Sequence, residues 1–380
     1  MERKRTVSGK SSQRLEKDKS LTPVRDYEML VFCHLRWGFV YQRPQHLISR
    51  LCKSYKVLFI EEPIAFAEEN EGGYELEVIN SNLHILKPRA RNVAGISAIL
   101  KKYLSRRKFS IGWFYSAAFS EVLGDFDFGR VIYDCMDELS LFRGANPELV
   151  RQEKFLLSEA EIVFTGGKSL YEAKSKVHFN VHCFPSSVER YHFAVALNEL
   201  PLPQDMNNIK KPVVGYFGVI DERINLKLLQ EVAKARPDIS FVMIGPLAKI
   251  GEEDLPREKN IYYLGMKAYK DLPAYLAGFD VAMMPFALND ATRFISPTKT
   301  LEYMAAGKPI ISTAIKDVER DYRHCISIVG NAEEFSGAID RMLGEDGTKV
   351  LKSYKEILNH TSWDHTATQM EQLISTEVKV

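Results

Sequence analysis

Ser296-Pro-Thr-Lys-Thr-Leu-Glu-Tyr-Met-Ala-Ala-Gly307-Lys-Pro309-Ile-Ile-Ser-Thr313 reads as a helix, a stop and a buried strand. Ser296 is a suitable N-cap and Pro297 suits the first helical position. A helix N-terminus offers free N–H groups and the positive end of a dipole, so it can hold phosphate. Lys299 adds a full positive charge in the first turn. Glu302 follows on the same face, where a carboxylate can accept hydrogen bonds from ribose hydroxyls. Gly307 suits a left-handed cap, and Pro309 prevents continuation of the helix. The segment can therefore cradle a nucleoside diphosphate. The same residues also fit a capped helix before a strand, with Lys299 and Glu302 merely solvated.

Upstream and downstream the chain repeats one grammar. Strands are expected at 212–217, 240–244, 261–264, 280–284 and 309–313, with helices at 225–235, 269–277, 296–306 and 332–343. Before them, strands are expected at 27–33, 56–61, 109–115, 131–134, 162–165 and 181–184, with a Pro44-led helix over 44–53. Strands alternating with helices imply βαβ units and parallel sheets. Residues 196–211, with Pro201, Pro203 and the Asn207-Asn208 pair, read as a linker. The expected architecture is α/β: two Rossmann-like doubly wound domains, 27–195 and 212–360, facing a cleft. A terminal helix, within 361–380, completes it. Ligands of such sheets sit beyond the carboxyl ends of the strands.

At 380 residues, a prior of about 150 residues per domain gives two to three domains. With 51 Lys+Arg against 50 Asp+Glu, the chain is no general polyanion binder. Its 45% hydrophobic content and mean hydropathy of −0.20 exclude a wholly disordered chain. Five scattered cysteines without a Cys-x-x-Cys pair suggest reduced thiols and no zinc site. Residues 1–26 carry eight Lys/Arg against four Asp/Glu and read as a disordered basic tail. No signal peptide or membrane span is legible, so a cytoplasmic protein is expected.

The 296–313 segment resembles the nucleotide-binding signature of group 1 (family 4-like) glycosyltransferases of the GT-B fold. Phe32–Leu47, Val131–Leu139, Phe164–Tyr171, Phe184–Phe193, Gly215–Gly218 and Ser362-Trp363-Asp364 are similar, in the same order, to segments of a bacterial polysaccharide-associated subgroup. The resemblance spans roughly 28–370. It implies that the second domain holds a nucleotide-diphosphate sugar and that the terminal helix crosses back to the first domain. Many family members also carry a glutamate eight residues before the one matching Glu302, contacting the donor sugar. Here that position is Phe294, flanked by Arg293. The donor sugar and the anomeric outcome are thereby left open, and Arg293 is a candidate replacement contact.

Other candidates follow from their positions. Gly38 and Arg43 lie in and after the loop following the first strand, where Gly lets backbone approach a ligand and Arg43 can hold a phosphate. Asp137, after a buried strand, is the first candidate for the base that takes an acceptor proton; His34 is the second. Asp134 reads as a capping or orienting residue. Gly215 and Gly218 bracket a turn before Arg223 and Asn225, which suits a diphosphate. The resemblance puts the nucleobase near Tyr262–Met266 and Tyr269.

Two leads fail. Gly167-Lys168-Ser169 lacks the earlier Gly of a phosphate loop, since Ile162 stands there; Asp125-Phe-Asp127 precedes a strand rather than following one. Metal independence and no bound cofactor are expected. Residues 87–108 hold eight Lys/Arg, no acid and apolar residues at helical spacing. They read as a core-facing helix with a basic face, or as a contact with an anionic membrane surface. No feature calls for nucleic acid. The expected activity is sugar transfer from a nucleotide-diphosphate sugar to a glycan or lipid-linked acceptor in surface polysaccharide synthesis, with UDP and GDP not distinguished. The alternatives are a nucleotide-sugar epimerase of the same fold and a non-catalytic partner in an assembly complex.

Overall fold

The computed structural model describes residues 26–63, 71–344 and 348–376. Nearly all of the basic tail expected at 1–26 lies outside the described residues.

The first sheet contains β1 (Met29–Cys33), β2 (Val57–Glu61), β3 (Tyr74–Asn80), β4 (Leu83–Pro88), β5 (Lys108–Phe114), β6 (Asp127–Cys135), β7 (Ile162–Thr165) and β8 (Val181–Cys183). Their spatial order is β3-β4-β2-β1-β5-β6-β7-β8, parallel except for the antiparallel β3–β4 pair. Its helices are α1 (Arg43–Leu51), α2 (Ile96–Tyr103), α3 (Glu148–Glu159) and α4 (Lys168–Lys174). The short α5 (Arg190–Ala194) leads out of it.

The second sheet is β9 (Val213–Phe217), β10 (Ser240–Ile244), β11 (Ile261–Tyr263), β12 (Val281–Met284), β13 (Ile310–Thr313) and β14 (Ser327–Val329). It is parallel, in the order β11-β10-β9-β12-β13-β14. Around it lie α6 (Leu226–Ala235), α7 (Leu272–Ala277), α8 (Lys299–Ala305), α9 (Lys316–Tyr322), α10 (Ala332–Gly344) and α11 (Thr348–Leu358). Strand order reverses at β1/β5 and at β9/β12, and these two switch points open toward one cleft.

Central strands are buried on both faces, which is why they read as continuous apolar runs. In β1, Leu30 and Phe32 join one first-domain core, and Met29, Val31 and Cys33 join the other. The last helix, α12 (Trp363–Ser375), belongs to that second core through Trp363, Ala367, Met370 and Ile374. Ser362 caps it by accepting from the His365 N–H at 3.1 Å. Trp363 stacks on His46 of α1 with ring centres 4.8 Å apart, and Arg50 reaches Asp364 at 2.9 Å. The chain thus crosses back to the first domain after building the second.

Three features differ from expectation. The β3–β4 hairpin was not legible, because β3 is an exposed edge strand with Glu75 and Glu77 among its apolar residues. The stretch expected as a linker, 196–211, is anchored at two points: Ala196 and Met206 are buried in the second-domain core. Finally, six of the eight cations in 87–108 face carboxylates. Lys87 pairs with Glu77, Arg89 with Glu75, Arg91 with Glu71, Lys101 with Asp125, Arg106 with Asp26 and Lys108 with Asp127. Ile96, Ile99, Leu100 and Tyr103 of α2 point into the core. The stretch therefore carries far less uncompensated charge than its sequence suggests, and among the described residues no helix is long and apolar enough to cross a membrane.

Candidate functional site

The donor motif starts slightly later than its sequence implies. Helix α8 begins at Lys299 with Thr298 before it, not with a Ser296 cap. Thr298 is already in the right-handed helical conformation, and the Pro297 carbonyl accepts from the Thr300 N–H at 3.3 Å. Pro297 and Thr298 thus form a first, tighter turn, while the Ser296 carbonyl accepts from the Ser186 hydroxyl of the preceding domain. The C-terminus is as expected. Gly307 has φ 66°, its N–H reaches the Met304 carbonyl at 3.0 Å, and the Lys308 N–H reaches that of Tyr303 at 3.0 Å. The Tyr303 hydroxyl accepts from the Phe217 N–H at 3.1 Å, which ties the helix to the end of β9.

That end of β9 is shaped for Lys299. Gly218 has φ 139°, and a Cβ there would lie 2.1 Å from Lys299 Cε. Lys299 therefore lies across the turn, its ammonium 5.7 Å from the centre of the Tyr216 ring. Burial lowers its pKa, opposed by the charge of Glu302. Glu302 is 6% exposed, and burial pushes its carboxyl up to about 7 against the pull of Lys299. Gly218→Ala should destabilise the protein by about 1–3 kcal/mol and displace Lys299. Thermal unfolding and nucleotide titration of that variant check both effects.

Arg223 is held by Asp221, a residue not singled out from sequence. Arg223 Nε lies 3.0 and 3.1 Å from the two carboxylate oxygens, and Nη2 lies 2.7 Å from Oδ2. The Asp-x-Arg spacing was the available signal. The fork fixes the guanidinium while leaving further N–H groups for a ligand. Asn225, by contrast, is a helix cap, accepting from the Leu228 N–H at 2.9 Å.

On the facing domain, His34 follows β1 and Asp137 follows β6. Burial, then the nearby Lys249 charge, lowers His34 to about 4, so it is neutral at physiological pH. Its Nδ1 is buried without a partner among the described residues. Burial raises Asp137 to about 6, with Arg223 pulling it down and Asp221 pushing it up. The loop bearing Asp137 is anchored by Lys174, which reaches Glu138 and Glu153 at 2.6 Å each.

Two expected contacts are corrected by geometry. Arg43 is committed to structure: Nη2 lies 2.8 Å from Asp134 Oδ1 and Nη1 lies 2.8 Å from the Phe184 carbonyl. With Nε, Nη1 and Nη2 all engaged and its side chain 4% exposed, it offers no open fork to a phosphate, although it borders the small cavity described below. Arg293 is exposed, pairs with Asp290 and lines none of the cleft cavities described below. Gly38 lines the cleft, where its loop was expected, and a Cβ there would meet no protein atom within 4 Å.

Three cavities meet in the cleft. One, of about 340 Å³, is lined by Gly218, Pro246, Met266, Tyr269, Lys299 and Glu302, among others. Of the expected 262–266 base segment, only Met266 reaches it. A second, of about 860 Å³, lies mainly on the first domain and includes His34, Phe39, Asp137, Phe142 and Lys249. A small third, of about 80 Å³, joins Asp137, Gly166 and Ser186 to Ser296, Pro297, Thr298 and Lys299. Gln42 and Arg223 line all three. Gln42 was not singled out from sequence, because only the meeting of the domains gives it this place. The junction thus combines two cations, a buried carboxylate on the second domain and a carboxylate raised toward neutrality on the first.

Residues 211–345 match the family model described as Glycosyl transferases group 1. Over 268 residues the chain is 23% identical to a Bacillus subtilis (strain 168) protein provisionally named teichuronic acid biosynthesis glycosyltransferase TuaH, covering 66% of this chain and 67% of that one. Among solved structures, sucrose-phosphate synthase from Thermosynechococcus elongatus superposes with a TM-score of 0.68 at 16% identity, covering 91% of this chain and 97% of the other. Anabaena Alr3699/HepE in complex with UDP-glucose gives 0.67 at 13%, covering 92% and 99%. An E. coli trehalose-6-phosphate structure bound with UDP-2-fluoro glucose gives 0.67 at 13%, with the same coverage.

Proposed function

We propose that this chain, whose residues 211–345 match the Glycosyl transferases group 1 model and whose fold is that of GT-B glycosyltransferases, is a glycosyltransferase that moves a sugar from a nucleoside-diphosphate sugar to a glycan or lipid-linked acceptor in surface polysaccharide synthesis. The observation that carries the reading is the junction at Arg223. A cavity bearing Glu302 and Lys299 opens there onto a larger one bearing Asp137. The provisional name of the B. subtilis relative supports the polysaccharide role.

In this reading the nucleoside fills the smaller cavity and Glu302 accepts from its ribose hydroxyls. The diphosphate lies against Lys299 and Arg223, beside the Ser296–Thr298 turn. The sugar points toward Asp137 and the acceptor enters from the larger cavity. As the bond between the anomeric carbon and the phosphate oxygen breaks, negative charge grows on the departing diphosphate, where the two fixed cations meet it. Asp137 takes the proton of the attacking hydroxyl. The reaction needs no metal, since side chains supply the positive charge.

Asp137 is the better-matched base, because a pKa near 6 leaves it ionised yet basic at neutral pH, whereas His34, near 4, is a weak acceptor. The pH profile is the test. The rate of nucleoside-diphosphate release should rise with pH and level off above about 6, as the carboxyl ionises. Asp137→Asn should lower kcat by about 10²–10⁴-fold and remove that limb. A limb that persists in Asp137→Asn and disappears in His34→Ala would assign the base to His34 instead.

A further inference from the structure

Phe294 stands eight residues before Glu302 and leads directly into the Ser296–Thr298 turn. Its ring does not face the nucleoside cavity. It packs against the core of the first domain, although it belongs to the second. The residues around it make the same crossing. A Cβ on Gly167 of the first domain would lie 3.0 Å from Ser296 Cβ and 3.7 Å from the Phe294 carbonyl oxygen. The Ser186 hydroxyl donates to the Ser296 carbonyl. Beside this contact, Asp317 at the start of α9 is 3% exposed and accepts from the Ser169 N–H at 3.1 Å and from its hydroxyl. Glu172 pairs with Lys316 at 2.8 Å and with Arg320.

The small cavity at the junction has one wall from each side of this contact: Met136, Asp137 and Gly166 from the first domain, and Ile295, Ser296 and Pro297 from the second. Its width is therefore set by how closely the domains approach. The second wall is the short segment between Phe294 and Lys299. A partly buried apolar ring packed across the contact fixes that segment without presenting a charge to the cavity.

We infer that Phe294 is a positioning residue for the donor sugar: by packing on the first domain it holds Ile295–Pro297 as one wall of a sugar subsite that both domains build. This rests on the donor reading above. The nucleoside diphosphate is held within the second domain by Lys299, Arg223 and Glu302, while the sugar is held only when the two walls meet. Sugar-nucleotide and bare nucleotide should then respond differently to the contact.

The experiment is calorimetric titration of UDP, UDP-glucose, GDP and GDP-mannose against the full chain and its Phe294→Ala, Phe294→Leu and Gly167→Ala variants. Thermal unfolding verifies that each variant is folded. Gly167→Ala inserts a methyl group 2.6 Å from Asp317 Oδ2 and 3.0 Å from Ser296 Cβ, wedging the contact without touching the cations or carboxylates assigned to the nucleotide. For the nucleotide pair that binds the unaltered protein, Phe294→Ala and Gly167→Ala should weaken the sugar conjugate by about tenfold or more and the bare diphosphate by less than about twofold; tenfold corresponds to 1.4 kcal/mol. Phe294→Leu, which keeps an apolar anchor, should stay near the unaltered protein. Equal weakening of both ligands, or no weakening of the conjugate, overturns the inference and leaves the donor reading standing. No binding of any of the four to the unaltered protein overturns both.

Discussion

Replacing Lys299 with Ala should lower kcat by about 10²–10³-fold, equivalent to about 3–4 kcal/mol of transition-state stabilisation, with a much smaller change in KM. The expectation follows from where the ammonium lies. It crosses the Gly218 turn without a carboxylate pinned to it among the described residues, half-buried and beside Arg223. A cation whose pKa is lowered by burial gains most when a full negative charge arrives. That charge is largest on the departing diphosphate, so the loss should fall on kcat. Lys299→Arg should not restore the rate. The turn that accepts the narrow lysine stem leaves little room for a planar fork, and a guanidinium is not a compact point charge. Steady-state kinetics of the two variants checks this. A rise in KM with unchanged kcat would mean that Lys299 contributes only to ground-state binding.

Glu302→Gln should have two effects of opposite value to the protein. Nucleotide affinity should fall by about 10–100-fold, because hydrogen bonds to a charged acceptor contribute about 1.5–3 kcal/mol. Stability without ligand should rise at pH 8, by roughly 1–3 kcal/mol. In the folded protein burial pushes this carboxyl up to about 7, against an ordinary value of 4.5. Between those values the folded state binds more protons than the unfolded state, so stability falls as pH rises through the window. Above it the full cost of a buried carboxylate is present, and a neutral amide escapes it. Unfolding of both proteins at pH 4 and pH 8 is the check: the difference should be small at the lower pH and favour Glu302→Gln at the higher. A carboxylate retained at such a cost is consistent with selection for a ligand contact rather than for folding.

Much of this was legible in residues close in sequence. The alternation of β-branched runs with helical spacing implied two parallel sheets, and 296–313 carried its helix stop in Gly307 and Pro309. What escaped was set by distant partners. Arg43 reads as a cleft cation until Asp134, 91 residues away, is seen against it. Lys174 anchors the Asp137 loop through Glu138 and Glu153, contacts that no local pattern encodes, whereas Asp221 lies two residues from Arg223 and only its Asp-x-Arg spacing announced it. Gln42 acquires its place only where the domains meet. The β3 strand was missed because an exposed edge gives no apolar run, and β14 because three residues are too short for a period. Phe294 is visible in sequence only as an unexpected apolar residue; its packing on the other domain is a property of the fold.

The central claim is that the second domain holds a nucleoside diphosphate through Lys299, Arg223 and Glu302. Thermal unfolding with UDP, GDP, ADP and CMP, with and without EDTA, tests it most directly, since a ligand bound only by the folded state raises the midpoint by mass action. The account predicts a rise with one nucleoside diphosphate, unchanged by EDTA and markedly smaller in Glu302→Gln. No rise with any of them, or a rise that Glu302→Gln retains in full, would contradict it.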